Sequence, residues 1–167
     1  MSAAATAMRR LLKEARELSL RPPEGVLAVP LDDSSPFEWE AVVLGPPDTP
    51  YADGVFSATL SFPRDYPHNP PRMVFRSRMW HPNVYSNGTV CISILHAGVD
   101  PTRYESVEER WSPVQSVEKI LISVMSMLAE PNDESPANLD AAISWRSDPA
   151  GFRRRVDDTV RESLGLQ

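Results

Sequence analysis

Residues 55–75 read VFSATLSFPRDYPHNPPRMVF and contain the clearest strand pattern in the chain. Over 55–62, apolar and small polar residues alternate, which places the apolar side chains on one face of an extended strand. Residues 73–75 suit another strand, and the prolines and Asp65 between the two indicate a turn. A connection this short joins antiparallel neighbours, because parallel strands need a long crossover.

The same meander extends upstream and is preceded by a helix. Looser alternation predicts two earlier strands over 26–31 and 38–44, and Gly45 to Asp48 form a turn after the second. Apolar residues at three- and four-residue steps predict an N-terminal helix that ends before Pro22. Its predicted apolar face consists of Met8, Leu11, Leu12, Ala15 and Leu18.

Helical periodicity returns after residue 111. Ser112 to Gln115 fits a capping box with Pro at the first helical position, although a start of the regular helix a few residues later is also compatible, and Pro131 ends this helix. The apolar face of this helix is predicted to be Val117, Ile120, Leu121, Val124 and Leu128. A short helix is expected near 137–145, and a last one from Asp148 to about Leu164 with the buried stripe Phe152, Val156, Val160 and Leu164. The order predicts an α+β fold: an N-terminal helix, a four-stranded antiparallel meander sheet, then C-terminal helices.

Composition limits the class of protein. A chain of 167 residues with 41% apolar content suits a single domain, residues 1–167. The net charge of -6 argues against a nucleic-acid partner, and the basic residues of the first and last helices suit solvated helix faces. The N-terminal stretch mixes charges with apolar residues, so we expect neither a signal peptide nor a membrane span. A single cysteine gives no internal disulfide and no zinc spacing, which favours the reducing cytosol or nucleus.

Residues 76–111 have little periodicity, and so long an irregular segment in a compact domain is usually functional. It contains the only cysteine, Cys91, in the run HPNVYSNGTVCISIL at 81–95. The Asn-Gly pair in this run is a tight-turn signal, so the chain reverses and brings Asn83 back toward Cys91. A thiol can hold an acyl group as a thioester, and a carboxamide can donate to the oxyanion formed when an amine attacks. These residues predict an acyl carrier that delivers its acyl group to an amine.

The run HPNVYSNGTVCISIL resembles the active-site segment of the ubiquitin-conjugating enzymes, in which His-Pro-Asn is followed eight residues later by the catalytic cysteine. The resemblance covers nearly the whole chain, through PPEG at 22–25, FEWEAVVLGPPDTPYADGVF at 37–56, SFPRDYPHNPPRMVF at 61–75 and WSPVQSVEKILISVMSMLAEPNDESPAN at 111–138. The insertion HAGVDPTRYESVEER at 96–110 is similar to the long acidic loop of one subgroup. The pieces ILHA and ERWSPVQSVEKIL resemble the G-type enzymes linked to degradation of endoplasmic-reticulum proteins.

The resemblance implies the ubiquitin-conjugating (UBC) fold and a two-step acyl transfer. An activating enzyme, which uses ATP and magnesium, presents ubiquitin as a thioester, and Cys91 takes it over. A RING-type ligase then promotes transfer to a lysine amine of a substrate or of ubiquitin, with proteasomal degradation the expected outcome.

The resemblance also implies roles for side chains around Cys91. Asn83 is the expected oxyanion group, although an asparagine beside a turn also commonly bonds to the local backbone. His81 is expected to brace the loop. His96 and Asp100 lie where a group that helps to deprotonate the amine would sit, but a charged loop residue is often simply solvated.

Partner surfaces are implied in the same way. Arg9, Arg10 and Lys13 match positions of the first helix that contact the activating enzyme. The ligase surface is implied at that helix and at His68, Pro113 and Val114. Many relatives have an aromatic or aliphatic residue in place of His68. We expect a monomer without metal or organic cofactor, located in the cytoplasm and recruited to the endoplasmic reticulum by a partner.

These residues bear on three other interpretations. A Cys-His protease needs a base within hydrogen-bond reach of its thiol, and the flanking sequence resembles no such active site. A non-enzymatic ubiquitin-binding variant of the fold lacks the cysteine, whereas Cys91 is present in full context here. Specificity for a modifier related to ubiquitin stays open, and the residues identify neither the ligase nor the substrates nor the chain linkage.

Overall fold

A computed structural model describes residues 1–166 of the chain. Its helices are α1 (Ala3–Leu20), α2 (Val117–Ala129), α3 (Leu139–Ser147) and α4 (Pro149–Ser163). Its strands, which lie between α1 and α2, are β1 (Val26–Pro30), β2 (Glu38–Leu44), β3 (Val55–Ser61) and β4 (Arg72–Phe75). The strands pair antiparallel in the order β1-β2-β3-β4. The predicted α+β architecture, with its meander sheet, is confirmed.

One face of the sheet carries the core. In β2, Trp39, Ala41 and Val43 are buried, while the alternate residues Glu38, Glu40 and Val42 are exposed. Phe56, Ala58 and Leu60 of β3 belong to the same buried cluster, and so does the predicted apolar face of α2. Each large apolar side chain in it contributes roughly 1.5–3 kcal/mol of transfer free energy. The core therefore joins the sheet to α2, and the irregular segment 76–111 runs between these two elements.

The start of α2 differs from the prediction. The helix is capped by Ser116, whose hydroxyl accepts from the Lys119 N–H at 3.2 Å, so the capping box predicted at Ser112 is wrong. The reason lies in Gln115, whose side-chain amide is buried and donates to the carbonyls of Glu108 and Arg110. This amide braces the preceding loop, and the residues before Ser116 form a turn.

Two helical faces also differ from the predicted stripes. The buried face of α1 consists of Ala7, Leu11, Glu14 and Leu18, while Leu12 is exposed. The helical period selects this face, and the prediction favoured the apolar Leu12 over the charged Glu14. In α4, the predicted Leu164 is exposed because the helix has already ended, and Thr159 is buried. Within residues 1–166, none of these helices combines the length and apolar character needed to cross a membrane.

The carboxylate of Glu14 joins three parts of the molecule. It accepts from the backbone N–H of Val117 at 2.9 Å, from Arg10 Nε at 3.2 Å and from the Tyr66 hydroxyl. Burial, reinforced by the Glu14 charge, raises the pKa of the Tyr66 hydroxyl well above its ordinary value, so this group stays a donor. Helix α1, the 66–68 loop and the start of α2 are thus tied together at one buried carboxylate.

We expect Glu14→Ala to lower the free energy of unfolding by about 3 kcal/mol, because three donors lose their buried acceptor. Glu17→Ala is the matched control on the same helix, since Glu17 is exposed and pairs only loosely with Lys13 at 3.8 Å. It should change stability little. Urea denaturation followed by tryptophan fluorescence measures both variants. Equal losses of unfolding free energy in the two variants would show that the buried Glu14 carboxylate contributes no more to stability than an exposed one.

Candidate active site

A short reversal of the chain places Cys91. Gly88 sits at its turn with a φ of 91°, a conformation that favours glycine, and its N–H donates to the Tyr85 carbonyl at 2.8 Å. A Cβ at Gly88 would lie 2.1 Å from the Phe75 carbonyl oxygen, so any other residue would clash there. The returning chain then donates the Cys91 N–H to the Asn83 carbonyl at 2.9 Å. The predicted return of Asn83 to Cys91 is present in the structure.

The Cys91 thiol is half-buried and free. Burial raises the pKa of this thiol, a hydrogen bond with the Tyr85 hydroxyl lowers it, and the charge of Glu105 raises it, with a net rise. The group is therefore mainly a neutral thiol at neutral pH. His96 lies beside it, with Nε2 at 3.6 Å from Sγ. The thiol thus has a potential proton acceptor within reach.

The 96–110 loop folds next to Cys91 and holds His96 from its other side. The Glu105 carboxylate lies 2.7 Å from His96 Nδ1. Its second oxygen is paired with Arg110, whose guanidinium also donates to the carbonyls of Ala97 at 2.8 Å and Gly98 at 3.0 Å. The loop therefore contributes an ordered series of side chains that ends at the sulfur.

Asp100 is on the same loop but has different surroundings from His96. Its carboxylate accepts from the Glu105 N–H at 2.9 Å, from the Thr102 hydroxyl at 2.7 Å and from the Thr102 N–H at 2.9 Å. These hydrogen bonds, the one from the Glu105 backbone first, hold the pKa of Asp100 well below its ordinary value. The two loop residues predicted together are thus distinct: His96 contacts the thiol, and Asp100 anchors the turn of the loop.

Asn83 is buried and bound to a distant part of the backbone. Its Oδ1 accepts from the Asn132 N–H at 2.9 Å, and its Nδ2 donates to the Asn132 carbonyl at 2.6 Å. An amide nitrogen carries two hydrogens, so this pair uses one of them. The side chain is thereby held firmly at the end of the groove that contains Cys91.

His81 is fully buried between α2 and the chain reversal that joins Asn83 to Cys91. Its Nδ1 accepts from the Asn83 N–H at 2.9 Å, and its Nε2 lies 2.7 Å from the carbonyl oxygen of Met127. The ring is therefore the neutral tautomer with hydrogen on Nε2. Burial lowers the pKa of His81 to about 4, although the hydrogen bond with Met127 acts in the opposite direction.

The predicted partner positions lie on adjoining loops and on α1. Arg9 and Lys13 are exposed, whereas Arg10 is partly buried and donates to the carbonyls of Pro113 and Gln115. The remaining ligase-surface positions are exposed: His68, Pro113 and Val114. The indole of Trp111 donates to the Pro67 carbonyl at 2.8 Å and so joins the two loops that carry them.

The structure adds site residues that the sequence did not single out. Glu105, Arg110 and Tyr85 are close to the thiol or to its histidine, and Asn132 holds Asn83. Apart from charge, nothing in the pattern of the loop separates Glu105 from its acidic neighbours. Within the described residues, no group of three or more His, Cys, Asp or Glu side chains is arranged to hold a metal ion.

His81 predicts a pH dependence of stability. Its pKa is lower in the folded state than the ordinary 6.5, so the unfolded chain gains a proton first as the pH falls. Between about pH 7 and 5, this group should remove roughly 2 kcal/mol from the free energy of unfolding. His81→Gln is less stable at pH 7 but lacks this loss, so the gap between the two proteins narrows on acidification. Urea denaturation at each pH measures it, and parallel profiles would contradict the assignment.

Known proteins resemble this chain over nearly its whole length. The family model described as "Ubiquitin-conjugating enzyme" matches residues 10–160. The chain is 58% identical over 164 residues, 98% of its length and 99% of the relative's, to "Ubiquitin-conjugating enzyme E2 G2" of Homo sapiens. It is 56% identical to "Ubiquitin-conjugating enzyme E2-18 kDa" of Schizosaccharomyces pombe, covering 97% of this chain and 98% of that one. To "Ubiquitin-conjugating enzyme E2 14" of Arabidopsis thaliana it is 51% identical, with 92% of each chain covered. The chain has the UBC fold and belongs to the ubiquitin-conjugating enzymes, transferases that act with ubiquitin, an activating enzyme and ligases.

Proposed function

We propose that Cys91 carries ubiquitin as a thioester and delivers it to lysine amines. The observation that carries this proposal is the position of the thiol: it lies in a groove, with His96 Nε2 at 3.6 Å and the Asn83 amide nearby. The groove continues along α2 past Ile122 and Ser123, which gives an extended peptide tail a path to the sulfur.

In the first step, Cys91 attacks the thioester that the activating enzyme presents. A new C–S bond forms at Cys91, the old C–S bond breaks, and the thiol proton ends on the departing cysteine of the activating enzyme. His96 is the adjacent group that can receive this proton in between, because burial keeps the pKa of Cys91 raised and the thiol neutral. ATP and magnesium are used upstream, so this chain needs no cofactor of its own.

In the second step, a lysine amine attacks the thioester carbonyl. A C–N bond forms, the C–S bond to Cys91 breaks, and the carbonyl oxygen carries negative charge in between. Asn83 would donate to this oxyanion with the amide hydrogen that its pair with Asn132 leaves unused. His81 supports Asn83 by accepting its backbone N–H. Positioning and charge stabilisation suffice, since the thioester already stores the free energy.

We assign the role of proton acceptor to His96 and a supporting role to Asp100. The imidazole is the loop group that reaches the sulfur, whereas the Asp100 carboxylate is occupied by loop donors. Because His96 lies within reach of the Cys91 thiol, the site also contains the base that a Cys-His protease would need. The family match favours an amine over water as the acceptor of the acyl group.

The ligase that we propose is of the RING type, bound by α1 and by the loops carrying His68, Pro113 and Val114. Val114 supports this surface because the residue is 82% exposed, and Pro113 and His68 are exposed as well. Resemblance to the G-type enzymes supports a role in proteasomal degradation, with the chain in the cytoplasm and recruited to the endoplasmic reticulum by a partner. One copy supplies every group named at the site, which supports action as a monomer.

The first test is charging. The purified chain, mixed with activating enzyme, ATP-magnesium and ubiquitin, should gain one ubiquitin mass on a non-reducing gel, and thiol reductant should remove it. Cys91→Ala should abolish the band, because the acceptor sulfur is gone. No band on the wild-type chain, with the activating enzyme shown to be charged, would overturn the proposal.

The second test separates the two loop residues. After charging, discharge to free lysine is followed by quenched-flow gel analysis. His96→Gln should slow it about 100-fold, the range expected for loss of a proton acceptor. Asp100→Asn should have the smaller effect, because it loosens the loop without removing the acceptor. A larger effect for Asp100→Asn would reverse the assignment.

A further inference from the structure

The orientation of His96 depends on one side chain of the inserted loop. Glu105 places Oε1 at 2.7 Å from His96 Nδ1, while His96 Nε2 points to the Cys91 sulfur at 3.6 Å. An ionised carboxylate only accepts hydrogen bonds, so Nδ1 must carry the hydrogen of this contact. In the neutral imidazole, the lone pair is then on Nε2 and faces the sulfur.

We propose that Glu105 is a positioning residue for acyl transfer: it fixes His96 in the tautomer that presents an unprotonated Nε2 to the reacting amine. This inference rests on the proposed function and adds a residue to it. A histidine with hydrogen on Nε2 would point a donor at the reaction centre and could not take a proton there. The carboxylate thus decides whether the imidazole acts as a base.

The proton moves from the lysine amine to His96 and then to the Cys91 sulfur, so the reaction needs no further reactant. The lysine nitrogen bonds to the carbonyl carbon and gives a proton to Nε2 of His96. The C–S bond then breaks, and its electron pair goes to Cys91 as a thiolate. The imidazolium, stabilised by Glu105, returns the proton to this sulfur across a separation of 3.6 Å. The products are an amide and the neutral thiol, and His96 regains its initial tautomer.

Glu105 is itself held in place, as a positioning group must be. Its other carboxylate oxygen is paired with Arg110, and its backbone N–H donates to Asp100 at 2.9 Å. The side chain of Glu105 is only 16% exposed and that of Arg110 only 12%. Water therefore competes weakly for the carboxylate, and the orientation of the imidazole is set by the fold of the loop.

The neighbouring acidic residues do not share this arrangement. Glu108 and Glu109 lie on the same loop but are exposed, and the hydrogen bonds of the described chain involve only their backbone groups. Glu108→Ala therefore removes the same charge from the same loop without touching His96. It is the matched control for Glu105→Ala.

The test charges each variant with ubiquitin and follows single-turnover discharge to free lysine without a ligase. Glu105→Ala should reach full charge, more slowly than the wild type because His96 also receives the Cys91 proton during charging, and should discharge at least about 10-fold more slowly, approaching His96→Gln. Glu105→Asp should recover part of the rate, and Glu108→Ala should match the wild type. The double variant His96→Gln/Glu105→Ala should be no slower than His96→Gln alone, because both changes disrupt the same Glu105–His96 pair.

The tautomer gives a readout that a purely structural role would not move. Long-range ¹H–¹⁵N spectra should show His96 with an unprotonated Nε2 in the wild type and in Glu108→Ala, and with a hydrogen on Nε2 in Glu105→Ala. If Glu105→Ala becomes charged and keeps the wild-type tautomer of His96, the inference is wrong, whatever its discharge rate. If the wild-type chain does not charge at all, the proposed function fails and the inference falls with it.

Discussion

The imidazole of His81 is the contact on which the placement of Cys91 depends. The cysteine lies outside the regular strands, and the hydrogen bonds to β4 stop just before it, at Gly88 and Val90. His81 accepts the Asn83 N–H with one nitrogen and reaches the Met127 carbonyl of α2 with the other. Because the ring is fully buried, water does not replace either bond. One ring therefore links the segment that carries Asn83 and Cys91 to α2.

Two histidines of the active-site segment are held in opposite tautomers. His81 carries its hydrogen on Nε2 because Met127 offers a carbonyl there, and His96 carries its hydrogen on Nδ1 because Glu105 offers a carboxylate. Residue type alone does not distinguish them. His81 is fully buried and therefore has only a structural role, whereas His96 is partly exposed and accessible to an incoming amine.

The parts predicted from the sequence are those governed by a repeating pattern. Alternation identified β2 and β3, the helical period identified α2, and an Asn-Gly turn brought Asn83 back to Cys91. The family motif covered the rest of the fold. The roles of Glu14 and Glu105 could not be predicted, because each acts through a tertiary hydrogen bond. In the local sequence, such a glutamate looks the same as one that is exposed to solvent. The cap of α2 was misplaced since Gln115 bonds to a loop that no periodicity describes.

The Glu14 carboxylate has a consequence for association with partners. It fixes α1 to two loops whose exposed tips carry His68 and Val114. A surface assembled from separate flexible loops would lose conformational entropy on docking, often about 0.5–1.5 kcal/mol for each side chain ordered. Here that ordering is completed when the chain folds. A ligase bound at the surface proposed above would meet a preformed site, and its affinity would respond to a buried residue that it never touches.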